Sequence, residues 1–251
     1  MRPLLVLLTM LVLSGCLKRM DNTNQTCTSD CTLIQGQVTS ENNHPVQNVP
    51  VSLTYQRKTG TFESYTRRIT NAKTDQNGYY KLNFHLNDDE LKDTGTGYLS
   101  IDIDKQSFDP NTYLVPDNGV PTFNTAIYSI STRDTIINQN FYMPVKAVIM
   151  VHLKDFKPLA TGDLFQAEAL YPFGWNMNYP NQFLGGFFST GATGQAGEYA
   201  ATSDNYTANI PVAANDTCVI RIRRIKNAVN TVEDIRTSIQ ANATREYTFS
   251  Y

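Results

Sequence analysis

From residue 33 onward the chain alternates apolar and polar positions with a period of two. Ile34, Gly36 and Val38 share one face of a short run. Val49, Val51, Leu53 and Tyr55 then alternate with Pro50, Ser52 and Thr54. Tyr80, Leu82, Phe84 and Leu86 alternate with Lys81, Asn83 and His85, and Leu99, Ile101 and Ile103 repeat the pattern. Such alternation is the signature of strands with one buried face. Pro50 places its run at a sheet edge or a bulge, because proline has no N–H to give to a ladder. The breaks between runs hold turn residues: Asn42-Asn43-His44-Pro45, Thr74-Asp75-Gln76-Asn77-Gly78, Asp109-Pro110-Asn111 and Pro116-Asp117-Asn118-Gly119. Asn77-Gly78 reads as a hairpin, since both residues tolerate positive φ. Segments 123–132 and 135–143 bring the first half to roughly seven strands, enough for a sandwich.

Pro144 marks a joint. Val145, Ala147, Ile149, Val151 and Leu153 alternate beyond it, and Val148 and Met150 make the opposite face partly apolar. That predicts a central strand, or one packed at a domain interface. Further strands are expected over 164–171, 185–189, 195–201, 205–212, 217–226 and 246–251. Residues 231–240 fit two patterns. Thr231-x-x-Asp234 resembles a capping box and Val232, Ile235 and Ile239 have helical spacing, whereas Ile235, Thr237 and Ile239 fit a strand. The surrounding strands favour the second. The pattern as a whole predicts an all-β chain of two tandem β-sandwich modules, 32–143 and 144–251.

The first residues read MRPLLVLLTMLVLSGC. Arg2 precedes an apolar run over residues 4–13, shorter than the ~20 residues a spanning helix needs. A cleaved signal over 1–15 is the better reading. Leu13-Ser14-Gly15-Cys16 resembles the bacterial lipobox. That resemblance implies a diacylglycerol on the Cys16 thiol, cleavage before it, and acylation, as with palmitate, of the new N-terminus. Several chains together make such anchoring durable. Residues 16–31 are then the lipidated terminus and a polar, flexible tether. Leu17 stands where an Asp would resemble an inner-membrane retention signal. The expected location is therefore the outer membrane of a bacterial cell envelope, with the facing side left open.

Ile34-x-Gly36-x-Val38, Pro45-Val46-x-Asn48-Val49-x-Val51-x-Leu53 and Thr74-Asp75-x-x-Gly78-x-Tyr80-x-Leu82 together resemble the carboxypeptidase regulatory-like domain family. The resemblance runs over about residues 33–86 and fades beyond. It implies a transthyretin-like (prealbumin-like) sandwich, related in plan to immunoglobulin-like modules, and an accessory role without peptidase activity. Hydroxyisourate hydrolases share that fold. Their C-terminal Tyr-Arg-Gly-Ser is absent, since this chain ends Tyr-Thr-Phe-Ser-Tyr.

Composition sharpens the picture. Of 251 residues, 41% are hydrophobic, enough to build cores and to exclude wholesale disorder. The 21 basic and 23 acidic residues offer no field for nucleic acid. With three His and no zinc-peptidase, nucleophile-elbow or phosphate-loop motif, no catalytic residue, metal or cofactor is assigned. His44 lies in a turn, His85 on a polar strand face and His152 in an apolar strand. Asp102-x-Asp104 and the Asp88, Asp89, Glu90, Asp93 cluster lack the Ca²⁺-loop pattern and read as solvated acids. Cys27 and Cys31 admit a disulfide, free thiols or metal ligands. Cys218 opens an apolar segment and reads as a buried thiol. Arg221-Ile222-Arg223-Arg224-Ile225-Lys226 reads as a solvated basic face.

One segment gathers aromatics and amides: residues 171–183, with Tyr171, Trp175, Tyr179 and Phe183. These four are the candidate ligand residues, because aromatic faces cover sugar C–H surfaces while amides bond the hydroxyls. The competing reading continues the inward face of Phe165, Ala167 and Ala169 into Tyr171, Phe173 and Trp175, which makes Trp175 a core plug. Three functions compete. The first is a non-enzymatic lipoprotein, held by its lipid anchor and binding carbohydrate or another envelope protein, or serving as a scaffold. The second is a pilus-like or surface-assembly subunit. Some lipoprotein pilins resemble this two-module plan, and residues 245–251 are either a donor strand or a strand that simply pairs within its own chain. The third is an unrecognised glycan hydrolase with a carboxylate pair.

Overall fold

The computed structural model describes residues 18–22, 27–58, 60–61, 63–91, 97–115, 122–175 and 193–251. Over these the chain is all-β, with tandem sandwich modules. The signal, Cys16, the turn at 116–119, Asp93 and the strand expected at 185–189 lie outside the described residues.

The first module contains β1 (Lys18–Asn22), β2 (Thr32–Thr39), β3 (Pro50–Lys58), β4 (Ser64–Lys73), β5 (Tyr79–Phe84), β6 (Gly97–Asp104), β7 (Thr122–Ile127), β8 (Ile136–Asn138) and β9 (Phe141–Tyr142). One sheet runs β1-β4-β3-β6-β7, and the other joins β9, β2 and β5, with β8 also on β2. The alternating residues meet between them. Ile34 and Val38 of β2 and Tyr80, Leu82 and Phe84 of β5 pack with Val51, Leu53 and Tyr55 of β3 and Leu99, Ile101 and Ile103 of β6. All of these are buried.

The chain continues through β10 (Lys146–Lys154), β11 (Leu164–Pro172), β12 (Gly174–Trp175), β13 (Thr193–Ala200), β14 (Asn205–Ala213), β15 (Cys218–Lys226), β16 (Val229–Thr237) and β17 (Thr244–Ser250), of which β12 joins β9 in the first sandwich and the rest build the second module. Its sheets run β14-β10-β17 and β13-β11-β15-β16. Ala147, Ile149, Val151 and Leu153 of β10 share a core with Phe165, Ala167 and Ala169 of β11 and Ile220 and Ile222 of β15. Residues 229–237 are a strand, antiparallel to β15. Cys218 is a buried thiol whose Sγ–H donates to the Ala213 carbonyl at 3.2 Å. Burial pushes it up to about 12.

The motif residues of the first module are structural. A Cβ at Gly36 would lie 1.8 Å from the Gln139 oxygen. Gly78 has φ +73°, and a Cβ there would lie 2.5 Å from the Val38 oxygen. Thr74 Oγ1 accepts from the Val49 N–H at 2.9 Å and donates to the Val46 carbonyl at 2.7 Å. Asp75 Oδ1 accepts from the N–H groups of Asn77 at 2.8 Å and Tyr79 at 2.9 Å. The turn is not a hairpin, because β4 and β5 belong to different sheets and the chain crosses the sandwich there.

Other expectations change. Pro50 opens a central strand, flanked by β4 and β6, where its missing N–H falls at the strand start. The bulge lies further on, between Leu53 and Thr54. β4 itself escapes the alternation because Arg67 points inward to a buried partner and the bulge shifts its phase. Within the segment read as a tether, Lys18–Asn22 pairs in parallel with β4. Cys27 and Cys31, open in the sequence, form a disulfide with Cα atoms 5.8 Å apart.

Candidate functional site at the module junction

The aromatic segment lies where the two modules meet. β11 carries Tyr171 inward, 1% exposed, into the second core. The chain then passes through Phe173 to β12, which pairs antiparallel with β9 of the first module. Gly174, at φ +89°, makes that reversal in a conformation that favours glycine. Trp175 thereby enters the first core, 6% exposed. Its ring meets Phe141 edge-on with centroids 4.9 Å apart. Phe173 stands between the cores, 5.2 Å from Phe123 and 6.3 Å from Tyr171. In this structure, then, neither Tyr171 nor Trp175 presents an open ring face; Tyr179 and Phe183 lie outside the described residues.

The exchange is reciprocal. Leu114, from the first half of the chain, is 4% exposed within the second core. Its N–H donates to the Pro144 carbonyl at 2.9 Å, and the Lys146 N–H donates to the Thr112 carbonyl at 2.9 Å. Pro144 and Lys146 are thus tied back to the 112–114 loop.

A polar seam runs beside these apolar contacts. The Tyr142 hydroxyl donates to the Asp216 carboxylate, and the Asn215 amide donates to Glu41. Both bonds join the first module to the second. Burial raises the Tyr142 hydroxyl, and the Asp216 carboxylate raises it further. Burial also raises the Asp216 carboxyl; the Tyr142 hydrogen bond opposes this and the Glu41 charge adds to it. Sequence reading missed Leu114, Tyr142 and Asp216. None belongs to a motif, and only tertiary pairing brings them together.

The remaining chemical candidates have structural surroundings. Glu90 is buried and held by Arg67, whose Nε donates at 2.6 Å; it also accepts from the Asn87 N–H at 2.9 Å. Asp88 pairs with Arg133 and Asp89 with Arg57, so this acidic loop is fastened by arginines. Asp104 caps a short 3₁₀ turn. Among the described residues, no three His, Cys, Asp or Glu side chains converge as metal ligands. Within the basic run, Arg221 pairs with Asp234 at 2.8 Å and Arg224 with Glu233 at 3.0 Å. His44 is exposed and His85 half-buried. His152 Nδ1 lies 2.9 Å from Thr207 Oγ1, with Nε2 3.5 Å from Glu246. That trio follows the order of a nucleophile, base and acid, yet it lies partly open across three neighbouring strands. It reads as cross-strand pairing.

No family model and no curated protein sequence matches this chain. Several solved structures do. The TIE protein of Bacillus anthracis is 12% identical, with TM-score 0.29, over 88% of this chain and 34% of that one. A variant of BcpA, the major pilin subunit of Bacillus cereus, is 10% identical, with TM-score 0.27, over 84% of this chain and 69% of that one. A variant of the shaft pilin SpaA of Lactobacillus rhamnosus GG is 10% identical, with TM-score 0.29, over 88% and 98%. The chain spans about a third of the length of the first of these. With TM-scores this far below 0.5, the likenesses carry no argument about function.

Proposed function

We propose that this chain is a non-enzymatic structural protein of the bacterial envelope, anchored by lipid on Cys16, whose two sandwich modules act as one stiff unit in a surface assembly. The observation that carries this reading is the reciprocal exchange at the junction. Trp175 sits in the first core, Leu114 sits in the second, and Phe173 packs on both. A two-module protein that works by flexing would keep few contacts across its joint. Here moving one module against the other pulls buried rings out of a core. Each such ring represents several kcal/mol of packing, about 3–5 kcal/mol by analogy with truncation of a core aromatic. Stiffness of this kind suits a spacer or subunit that holds a partner at fixed distance from the membrane.

The test has two arms. Cells fed an alkyne fatty acid label the intact protein and not Cys16→Ser, which is released from the membrane fraction. Cross-linking on those cells yields a ladder of multimers or a defined adduct with another envelope protein. Unlabelled protein rejects the anchor. A labelled protein that stays monomeric and unlinked at every expression level rejects the assembly role.

A further inference from the structure

The most exposed aromatic ring among the described residues is Tyr128, 64% open to solvent. It follows directly on β7, at the edge of the five-stranded sheet. Its ring lies 5.4 Å from that of Tyr98 on β6, tilted by 42°. Pairing in this sheet determines what stands beside them. Gln56 of β3 is opposite Tyr98, Thr54 is opposite Ser100, and Ser52 is opposite Asp102. Across β6 and β7, Ala126 is opposite Ser100 and Asn124 is opposite Asp102. Leu99, Ile101 and Ile103 fill the core, so by strand alternation Tyr98, Ser100 and Asp102 lie on the opposite face, where Tyr98 and Asp102 are half-buried and Ser100 is buried.

This outer face is pre-arranged. The Tyr98 hydroxyl donates to Gln56 Oε1 at 2.9 Å, and Gln56 Nε2 reaches Thr54 Oγ1 at 3.4 Å. Those bonds fix the ring and orient the amide. Asp102 is partly buried and hydrogen-bonded by Ser100 and Thr122, and burial raises its carboxyl. Arg68, opposite Thr54 on β4, is the charge at the margin.

From this placement we infer a carbohydrate-binding platform on the first module, formed by Tyr128 and Tyr98 with Gln56, Thr54, Asn124 and Asp102, that takes a neutral polysaccharide. Open aromatic faces cover the C–H surface of sugar rings, and amide, hydroxyl and carboxylate groups pair with sugar hydroxyls. Residues 98 and 102 of one strand stand about 13 Å apart, room for more than one sugar ring. The carboxylates of this strand face are Asp102, partly buried, and Asp104, which caps the 3₁₀ turn; with Arg68 at the margin the signs are mixed and give no strong field to attract a charged chain. A neutral glycan fits this face better than an acidic one. The inference does not depend on the junction: the platform would bind whether or not the protein assembles.

The test is affinity electrophoresis of the whole mature protein in gels cast with dextran, xyloglucan, galactomannan, laminarin or, as an acidic control, alginate. Retardation by at least one neutral polymer is expected, and less by alginate. Tyr128→Ala should weaken it at least tenfold, and Asn124→Ala severalfold. Tyr79→Ala, which removes another open ring (53% exposed), should leave it unchanged. Thermal unfolding of each variant reports whether the fold is intact; because Tyr128 and Asn124 are both surface positions, two variants guard against a folding artefact. No retardation by any neutral polymer overturns the proposal, as does equal retardation of Tyr128→Ala. Loss of a multimer in Tyr128→Ala without any polysaccharide effect would reassign the ring pair to a protein contact, and that also overturns it.

Discussion

Two groups of aromatic rings in this molecule have opposite surroundings. Phe173 and Trp175 come from a dense aromatic run and are enclosed where the modules meet, with Trp175 6% exposed. Tyr98 and Tyr128 are far apart in the sequence and belong to no aromatic run, yet the β6–β7 register sets them side by side on an open face. Aromatic density along the chain therefore did not report exposure. Burial followed from which sheet each residue joined. The run at 171–175 leaves the second module through the reversal at Gly174 and enters the first core.

The comparison breaks most visibly at Trp175. Trp175→Ala should cost about 3–5 kcal/mol, the range for removing a large buried aromatic. It should also split one unfolding transition into two, because the modules lose their shared ring. Urea unfolding followed by both tyrosine fluorescence and far-UV circular dichroism checks this. A single, unshifted transition would show that Trp175 couples nothing. The indole Nε1–H finds no hydrogen-bond partner among the described residues, so Trp175→Phe should cost far less.

Leu114→Ala tests the other half of the exchange. Its side chain fills the second core from the first half of the chain, and its loss should cost about 2–5 kcal/mol. Hydrogen exchange should then show the amides of β10 opening earlier while those of β5 stay protected. Equal loosening of both modules would place Leu114 in one undivided core and remove the reciprocity.

Much of this was legible in the alternation, and what was not has physical causes. β5 reads directly because every second residue is apolar and buried. β4 does not, because an arginine occupies an inward position: Arg67 is buried against Glu90, a partner from another segment. Thr74, Asp75 and Gly78 stand out as a motif, since a turn needs particular residue types at particular steps. That the turn crosses between sheets is invisible locally, because the same side-chain bonds serve either path. The junction was the least legible. Leu114, Tyr142 and Asp216 are ordinary residues whose roles arise only from pairing across the joint.

The polar seam gives a smaller, pH-dependent contrast. Burial holds the Asp216 carboxyl above its ordinary value, with Tyr142 opposing and Glu41 adding. A carboxyl raised on folding contributes stability that is complete below its unfolded value, near 3.9, and is lost as pH rises through the folded value. Asp216→Asn keeps an acceptor for the Tyr142 hydroxyl and removes the titration. Relative to the parent, the variant should gain stability as the pH is raised from about 4 to about 7. Unfolding midpoints at several pH values test the sign. A constant offset across the range would mean that Asp216 titrates alike in both states.

The smallest stability effect belongs to Tyr128, and it sharpens the comparison by being small. Its ring is mostly in water, so Tyr128→Ala loses little burial and at most an aromatic pair with Tyr98, worth about 0.5–1.5 kcal/mol at its upper range. A tyrosine retained only for packing would lose in stability what it loses in any other assay. A tyrosine that serves as a platform separates the two: the melting temperature barely moves while polysaccharide retardation falls at least tenfold. Trp175→Phe is the counterpart, because a conservative change within the enclosed group should leave retardation intact. If Trp175→Phe abolishes retardation and Tyr128→Ala does not, the ligand face lies at the junction and the contrast between the two aromatic groups collapses.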